Sequence, residues 1–104
     1  SSSCFIFDEI DSGVSGKISS SIAKLLKDLS IHKQVFCVTH QPLVAAVADH
    51  HFGVTKSLEN GVTRSRITSL EDFEARKREL AQLAGGDFKE ATIYAASLLE
   101  NKAA

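Results

Sequence analysis

A chain of 104 residues, 43% hydrophobic and 24% charged, buries only a modest core, and a formal net charge of -1 gives no basic footprint for gripping nucleic acid unaided. No apolar stretch approaches the length of a membrane span, and the first residues lack a signal peptide's basic region and apolar segment, so a soluble, intracellular chain is expected. Two cysteines, Cys4 and Cys37, are too few for a disulfide framework and form no Cys-x-x-Cys pair; both sit in apolar runs as small buried hydrophobes.

Cys4-Phe5-Ile6-Phe7 is an apolar run that stops on two acids, Asp8 and Glu9, and continues into Ile10-Asp11-Ser12-Gly13-Val14-Ser15-Gly16. This layout predicts a buried strand that delivers two carboxylates to its carboxyl end, where open α/β sheets place their ligands. Residues 15–29 carry Ile18, Ile22, Leu25, Leu26 and Leu29 at a spacing that lays one apolar stripe along a helix. Residues 34–39 are β-branched and aromatic enough for a second buried strand, and two consecutive strands joined by a helix predict a parallel βαβ unit. His40 then stands at the carboxyl end of that strand, on the same sheet edge as Asp8 and Glu9.

Pro42 suits the first turn of a short helix through Ala48, where its missing N–H costs nothing. Residues 52–58 and 62–67 flank Glu59-Asn60-Gly61, and because Asn and Gly both tolerate positive φ, an antiparallel hairpin is expected at the edge of the sheet. A helix capped by Ser69 or Leu70 should run to Ala84 with Phe73, Leu80 and Leu83 on its apolar side, broken by Gly85-Gly86. A last helix over residues 89–100 presents Ile93, Ala96 and Leu99, and residues 101–104 should fray.

An isolated Asp-Glu pair is usually no more than the polar end of a strand. Two features of its context point to chemistry: the glycine-punctuated loop at residues 11–16, able to bring backbone close to a neighbour, and His40 one strand later on the same edge. A magnesium ion held on nucleotide phosphates takes only one or two protein carboxylates, which the pair supplies. A ring N–H of His40 can donate to a terminal phosphate oxygen. The chain therefore reads as part of a nucleotide hydrolase. A zinc site built from His40, His50 and His51 matches none of the usual ligand spacings. Gly13-Val14-Ser15-Gly16-Lys17-Ile18 is not a phosphate-cradling P-loop, because two residues rather than four separate its glycines and Ile18 follows the lysine. The rival from another class is a non-catalytic interaction module whose charged stretch, residues 71–79, docks a partner; such runs are commonly solvated helix faces.

Taken in order, Phe7-Asp8-Glu9-Ile10-Asp11-Ser12-Gly13-Val14-Ser15-Gly16, Cys37-Val38-Thr39-His40-Gln41-Pro42-Leu43-Val44-Ala45-Ala46, Ala48-Asp49-His50-His51-Phe52 and Leu83-Ala84-Gly85-Gly86 resemble the C-terminal end of the bacterial RecN family. These DNA-repair proteins belong to the SMC-like branch of ABC-type ATPases, and the segment at residues 48–52 argues against another SMC relative. The resemblance implies an α/β fold, the C-terminal lobe of a P-loop NTPase head of the ABC/SMC-like type, with a parallel βαβ core, an edge β-hairpin and C-terminal helices. It implies ATP and Mg²⁺ as cofactors. By position, Asp8 matches the Walker B aspartate that holds the metal, Glu9 the glutamate that orients or deprotonates the attacking water, and His40 the switch histidine on the γ-phosphate. Residues 11–16 match the D-loop that lies between two heads, which makes Asp11, Ser12, Gly13, Ser15 and Gly16, with Gln41 beside the switch, candidate cofactor-binding residues. In relatives the Walker A loop, the ABC signature and the coiled-coil arms precede this stretch, so the chain alone is expected to be nearly inactive. The implied partners are the N-terminal lobe of the same head, a second head in an ATP-dependent dimer and, through the full-length protein, DNA at the bacterial nucleoid in the cytoplasm, with no membrane.

Overall fold

The structure, a computed structural model, describes residues 4–86 and 88–102. Strand β1 (Cys4–Asp8), helix α1 (Gly16–Ser30) and strand β2 (Gln34–Val38) form the parallel βαβ unit. The strands run in register from Cys4 opposite Gln34 to Asp8 opposite Val38, so both carboxyl ends fall on one edge. A short helix α2 (Pro42–Ala46), the strands β3 (Phe52–Glu59) and β4 (Val62–Ser69), and helices α3 (Phe73–Leu83) and α4 (Lys89–Lys102) follow. No described helix is long and apolar enough to cross a membrane.

Helix α1 starts at Ser15, whose extended backbone and hydroxyl, accepting from the Ile18 N–H at 3.4 Å, satisfy an otherwise orphaned donor. Phe7, Val35 and Cys37 on one face of the strand pair pack against Ala23 and Leu26 of α1 and Val44 of α2. The buried face of α1 is Ser19, Ala23 and Leu26, whereas Ile18 and Leu25, expected in the apolar stripe, are 51% and 66% exposed. Small residues at 19 and 23 let the helix sit close to its neighbours, which rotates the larger side chains outward. The strands themselves are covered on one face only: Ile6, Phe36 and Val38 lie exposed on the other, and Cys4 is exposed while Cys37 is half-buried. The apolar runs predict strands buried on both faces, as parallel sheets normally are, and the structure covers only one.

The larger core joins Ala45 and Ala46 of α2, Leu80 and Ala81 of α3, and Ala91, Ala95 and Leu99 of α4. Alanine at so many contacts allows close helix approach, and it turns Ile93 and Phe73, both expected inside, out to solvent. Helix α3 is capped by Asp72, whose Oδ1 accepts from the Ala75 N–H at 2.7 Å, and not by Ser69 or Leu70, because β4 extends to Ser69 opposite Phe52. It stops before Gly85 and Gly86, whose φ values of 129° and 139° disfavour other residues. Arg76 donates from one guanidinium nitrogen to the carbonyls of Ala45 and Ala46, both at 3.3 Å, and so closes the end of α2. Asn101 continues α4 rather than fraying, and residues 103–104 lie outside the described residues.

The hairpin turns at Asn60 and Gly61, with φ of 51° and 77°. It forms a two-stranded sheet of its own and does not extend the edge of the parallel pair. Its base is tied to the helical layer instead: the Leu70 N–H donates to the His51 carbonyl at 2.8 Å, and buried Gly53 lies beside the Leu70 and Glu79 side chains.

Candidate functional site

The parallel register sets Asp8 and Val38 side by side and lets the chain turn immediately beyond them. The Glu9 N–H donates to the Val38 carbonyl at 2.7 Å, and Glu9 adopts φ 54°, a left-handed conformation uncommon for a residue with a side chain. The Ser12 N–H donates to the Glu9 carbonyl at 3.2 Å, so residues 9–12 form a tight turn. Sparsely populated backbone of this kind collects at functional sites because the surroundings must hold it in place.

One strand over, His40 projects from the carboxyl end of β2, and its Nε2 lies 2.6 Å from Glu9 Oε1. Both side chains face solvent, His40 being 78% and Glu9 44% exposed. Asp8 is also exposed at this rim. The structure thus brings together Asp8, Glu9 and His40, residues far apart in the chain, by parallel pairing alone.

The remaining candidates divide. Ser12, Gly13, Ser15 and Gly16 line an exposed turn into α1, with Gly13 at φ 76°. Asp11, expected in that exposed loop, is 1% exposed and accepts a hydrogen bond from the Thr39 hydroxyl. Gln41 opens α2 without a side-chain capping bond, and its N–H donates to Thr39 Oγ1 at 2.9 Å. Thr39 escaped the sequence reading; a threonine directly before a strand-end histidine, facing an acid in the neighbouring turn, was its only signal. The Cys37 thiol is pushed up by burial, then by the nearby Asp11 and Asp8 charges, which keeps it protonated and inert. Burial, assisted by Arg76, lowers the His51 pKa to about 4, so His51 is neutral, and its Nδ1 has no hydrogen-bond partner among the described residues. No group of three or more His, Cys, Asp or Glu able to hold a metal ion forms among the described residues, and His40 contacts Glu9. A shallow groove lined by Lys24, Lys27, Leu43 and Val47 beside α1 lies apart from this rim.

The parallel βαβ unit ends in an acid pair and an imidazole on one edge, an α/β lobe with polar groups where open α/β sheets hold their ligands. A solved structure described as "Structural biochemistry of ATP-driven dimerization and DNA stimulated activation of SMC ATPases" superimposes with a TM-score of 0.63 and 27% sequence identity, covering 82% of this chain and 50% of that one. Among curated proteins, the DNA repair protein RecN of Synechocystis is 49% identical over 99% of this chain, and that of Haemophilus influenzae 47% identical over 78%. RecN of Bacillus subtilis is 42% identical over 78% of the chain. The chain belongs to the RecN family and spans only 14% to 20% of the length of these relatives. No protein-family model matches it.

Proposed function

We propose that this chain is the C-terminal lobe of the ATP-binding and hydrolysing head of a RecN-like protein for repair of DNA double-strand breaks. The observation that carries the reading is the 2.6 Å contact between Glu9 and His40 beside Asp8, at the common carboxyl ends of two parallel strands. The uncovered apolar face of those strands supports it further, since parallel sheets are covered on both faces in complete domains. The N-terminal lobe of the same head would supply that cover, together with the Walker A groups that grip phosphate.

The donor set fits a magnesium ion carried on phosphates better than a caged one. Asp8 is an exposed carboxylate at the rim, and no three-ligand protein cluster accompanies it among the described residues. When bound, Mg²⁺ neutralises charge on the phosphates, and Asp8 would hold it. Glu9 orients the attacking water and accepts its proton, because a carboxylate at a water-accessible rim is an available base. His40 stands beside Glu9, where a ring N–H can donate to the γ-phosphate. Ser12, Gly13, Ser15 and Gly16 present an exposed turn toward a second head, and Gln41 stands beside the switch. Hydrolysis would separate the two heads and alter the engagement of DNA by the full-length protein.

Mixing purified N-terminal lobe with this chain tests the reading. ATP hydrolysis and association should both require Mg²⁺ and nucleotide. Full activity from this chain alone would overturn the assignment, and association indifferent to ATP and metal would favour a simple interaction module.

A further inference from the structure

We propose that Thr39 and Asp11 form a positioning pair that fixes Glu9 against His40, which makes the Thr39 hydroxyl a determinant of turnover and places Asp11 inside its own lobe. The inference rests on the hydrolase reading above.

Asp11 is a carboxylate buried to 1% exposure, and a buried carboxylate persists only where donors meet it. The Thr39 hydroxyl donates to its Oδ2 from 28 residues away. The same hydroxyl oxygen accepts from the Gln41 N–H at 2.9 Å, closing a small turn around His40. Beyond His40, the Gln41 carbonyl accepts from the N–H groups of Val44 and Ala45 at 3.1 and 3.0 Å, which anchors that turn to α2. On the other strand, Asp11 lies within the turn that Glu9 opens, held by the Ser12 N–H on the Glu9 carbonyl and the Glu9 N–H on the Val38 carbonyl.

Each reacting side chain therefore stands on its own tight turn, and the Thr39 to Asp11 hydrogen bond joins the two turns. A hydroxyl serves here because a single atom donates to the acid and accepts from an amide at once. Serine meets that demand and valine, of the same shape, does not. Asp11 is placed in this network by its burial, and it reaches Glu9 and His40 only through backbone and Thr39. Both members are positioning residues, and small displacements of a base from its water cost turnover steeply.

The test uses a full-length RecN-family protein carrying this segment, with steady-state ATP hydrolysis, ATP-dependent head dimerisation and thermal unfolding measured on each variant. Thr39→Val is expected to lower kcat about 10- to 100-fold with KM for ATP changed less than about twofold. Thr39→Ser should return kcat to within about twofold of the parent. Asp11→Asn keeps an acceptor but loses the charge, so its kcat should fall between the two, with dimerisation unchanged. Added to Glu9→Gln, Thr39→Val should slow turnover no further, because it acts through Glu9. Parental kcat in folded Thr39→Val, a change confined to KM, or loss of dimerisation in Asp11→Asn would each overturn the proposal. If Thr39→Val fails to fold, Asp11→Asn decides, and undiminished kcat there overturns it. Normal turnover in Glu9→Gln alone would instead sink the underlying hydrolase reading, a separate outcome.

Discussion

Two side chains on the same face of helix α3 have opposite fates. Leu80 is fully buried, while Phe73, seven residues earlier, is 45% exposed with the Lys77 ammonium 5.8 Å from its ring centre. Leu80→Ala removes three carbons from a cluster that Leu80 shares with Ala45, Ala46, Ala81, Ala91, Ala95 and Leu99. Most of these neighbours are alanines, which have no rotamers with which to fill a void, so the cost is about 3 to 4 kcal/mol, within the usual range. Phe73→Ala gives up only partial burial and an exposed cation–π contact, about 1 kcal/mol. Urea denaturation of the 104-residue chain, followed by far-ultraviolet circular dichroism, compares them directly. With a urea slope of about 1.5 kcal/mol per molar, the Leu80→Ala midpoint should fall by roughly 2 M and the Phe73→Ala midpoint by less than about 1 M. Equal shifts, or a Leu80→Ala cost below about 1 kcal/mol, would refute the placement of the core.

Asp72→Ala removes the acceptor that caps α3 through the Ala75 N–H and should cost about 1 kcal/mol in the same denaturation experiment, with Asp72→Ser close to the parent. Gly61→Ala places a side chain at φ 77° with free space around it, so its cost of about 1 kcal/mol comes from backbone conformation alone, and Gly61→Asn should recover most of it. His51 adds a pH dependence: its folded pKa of about 4 lies below the ordinary 6.5, so the unfolded chain takes up the proton first. Its contribution is complete above pH 6.5 and is lost as the pH falls through 6.5 toward 4. At pH 5 the loss should be about 1 kcal/mol once solvent screening of the half-buried ring is allowed for, and His51→Phe should flatten that part of the stability profile.

Strand ends and turns were legible because local chemistry dictates them. Acids stop the apolar run at Asp8, Pro42 opens α2, Asn60-Gly61 makes the hairpin and Gly85-Gly86 ends α3, each acting within a few residues. The meeting of Glu9 with His40 was legible too, since parallel pairing of consecutive strands through a helix puts both carboxyl ends on one edge. Packing was less so. Hydropathy weights large side chains, but α1 and α4 bury Ser19, Ala23, Ala91 and Ala95 because small residues permit close approach, and Ile18 and Ile93 turn outward. The hairpin's separation from the parallel pair follows from its seat beside Leu70 and Glu79, a tertiary contact that no local pattern announces. The inward turn of Asp11 depends on a hydroxyl in the other strand's loop, and hydrogen bonds between distant turns leave no periodicity to read.

The central claim is that Glu9, held beside His40, activates water for attack on a bound nucleotide. Single-turnover hydrolysis by full-length protein carrying Glu9→Gln, with ATP affinity measured in parallel, tests it most directly. Hydrolysis should slow by about 10² to 10⁴, with nucleotide affinity nearly unchanged. Hydrolysis at the parental rate, or a loss of rate explained entirely by weaker ATP binding, would contradict it.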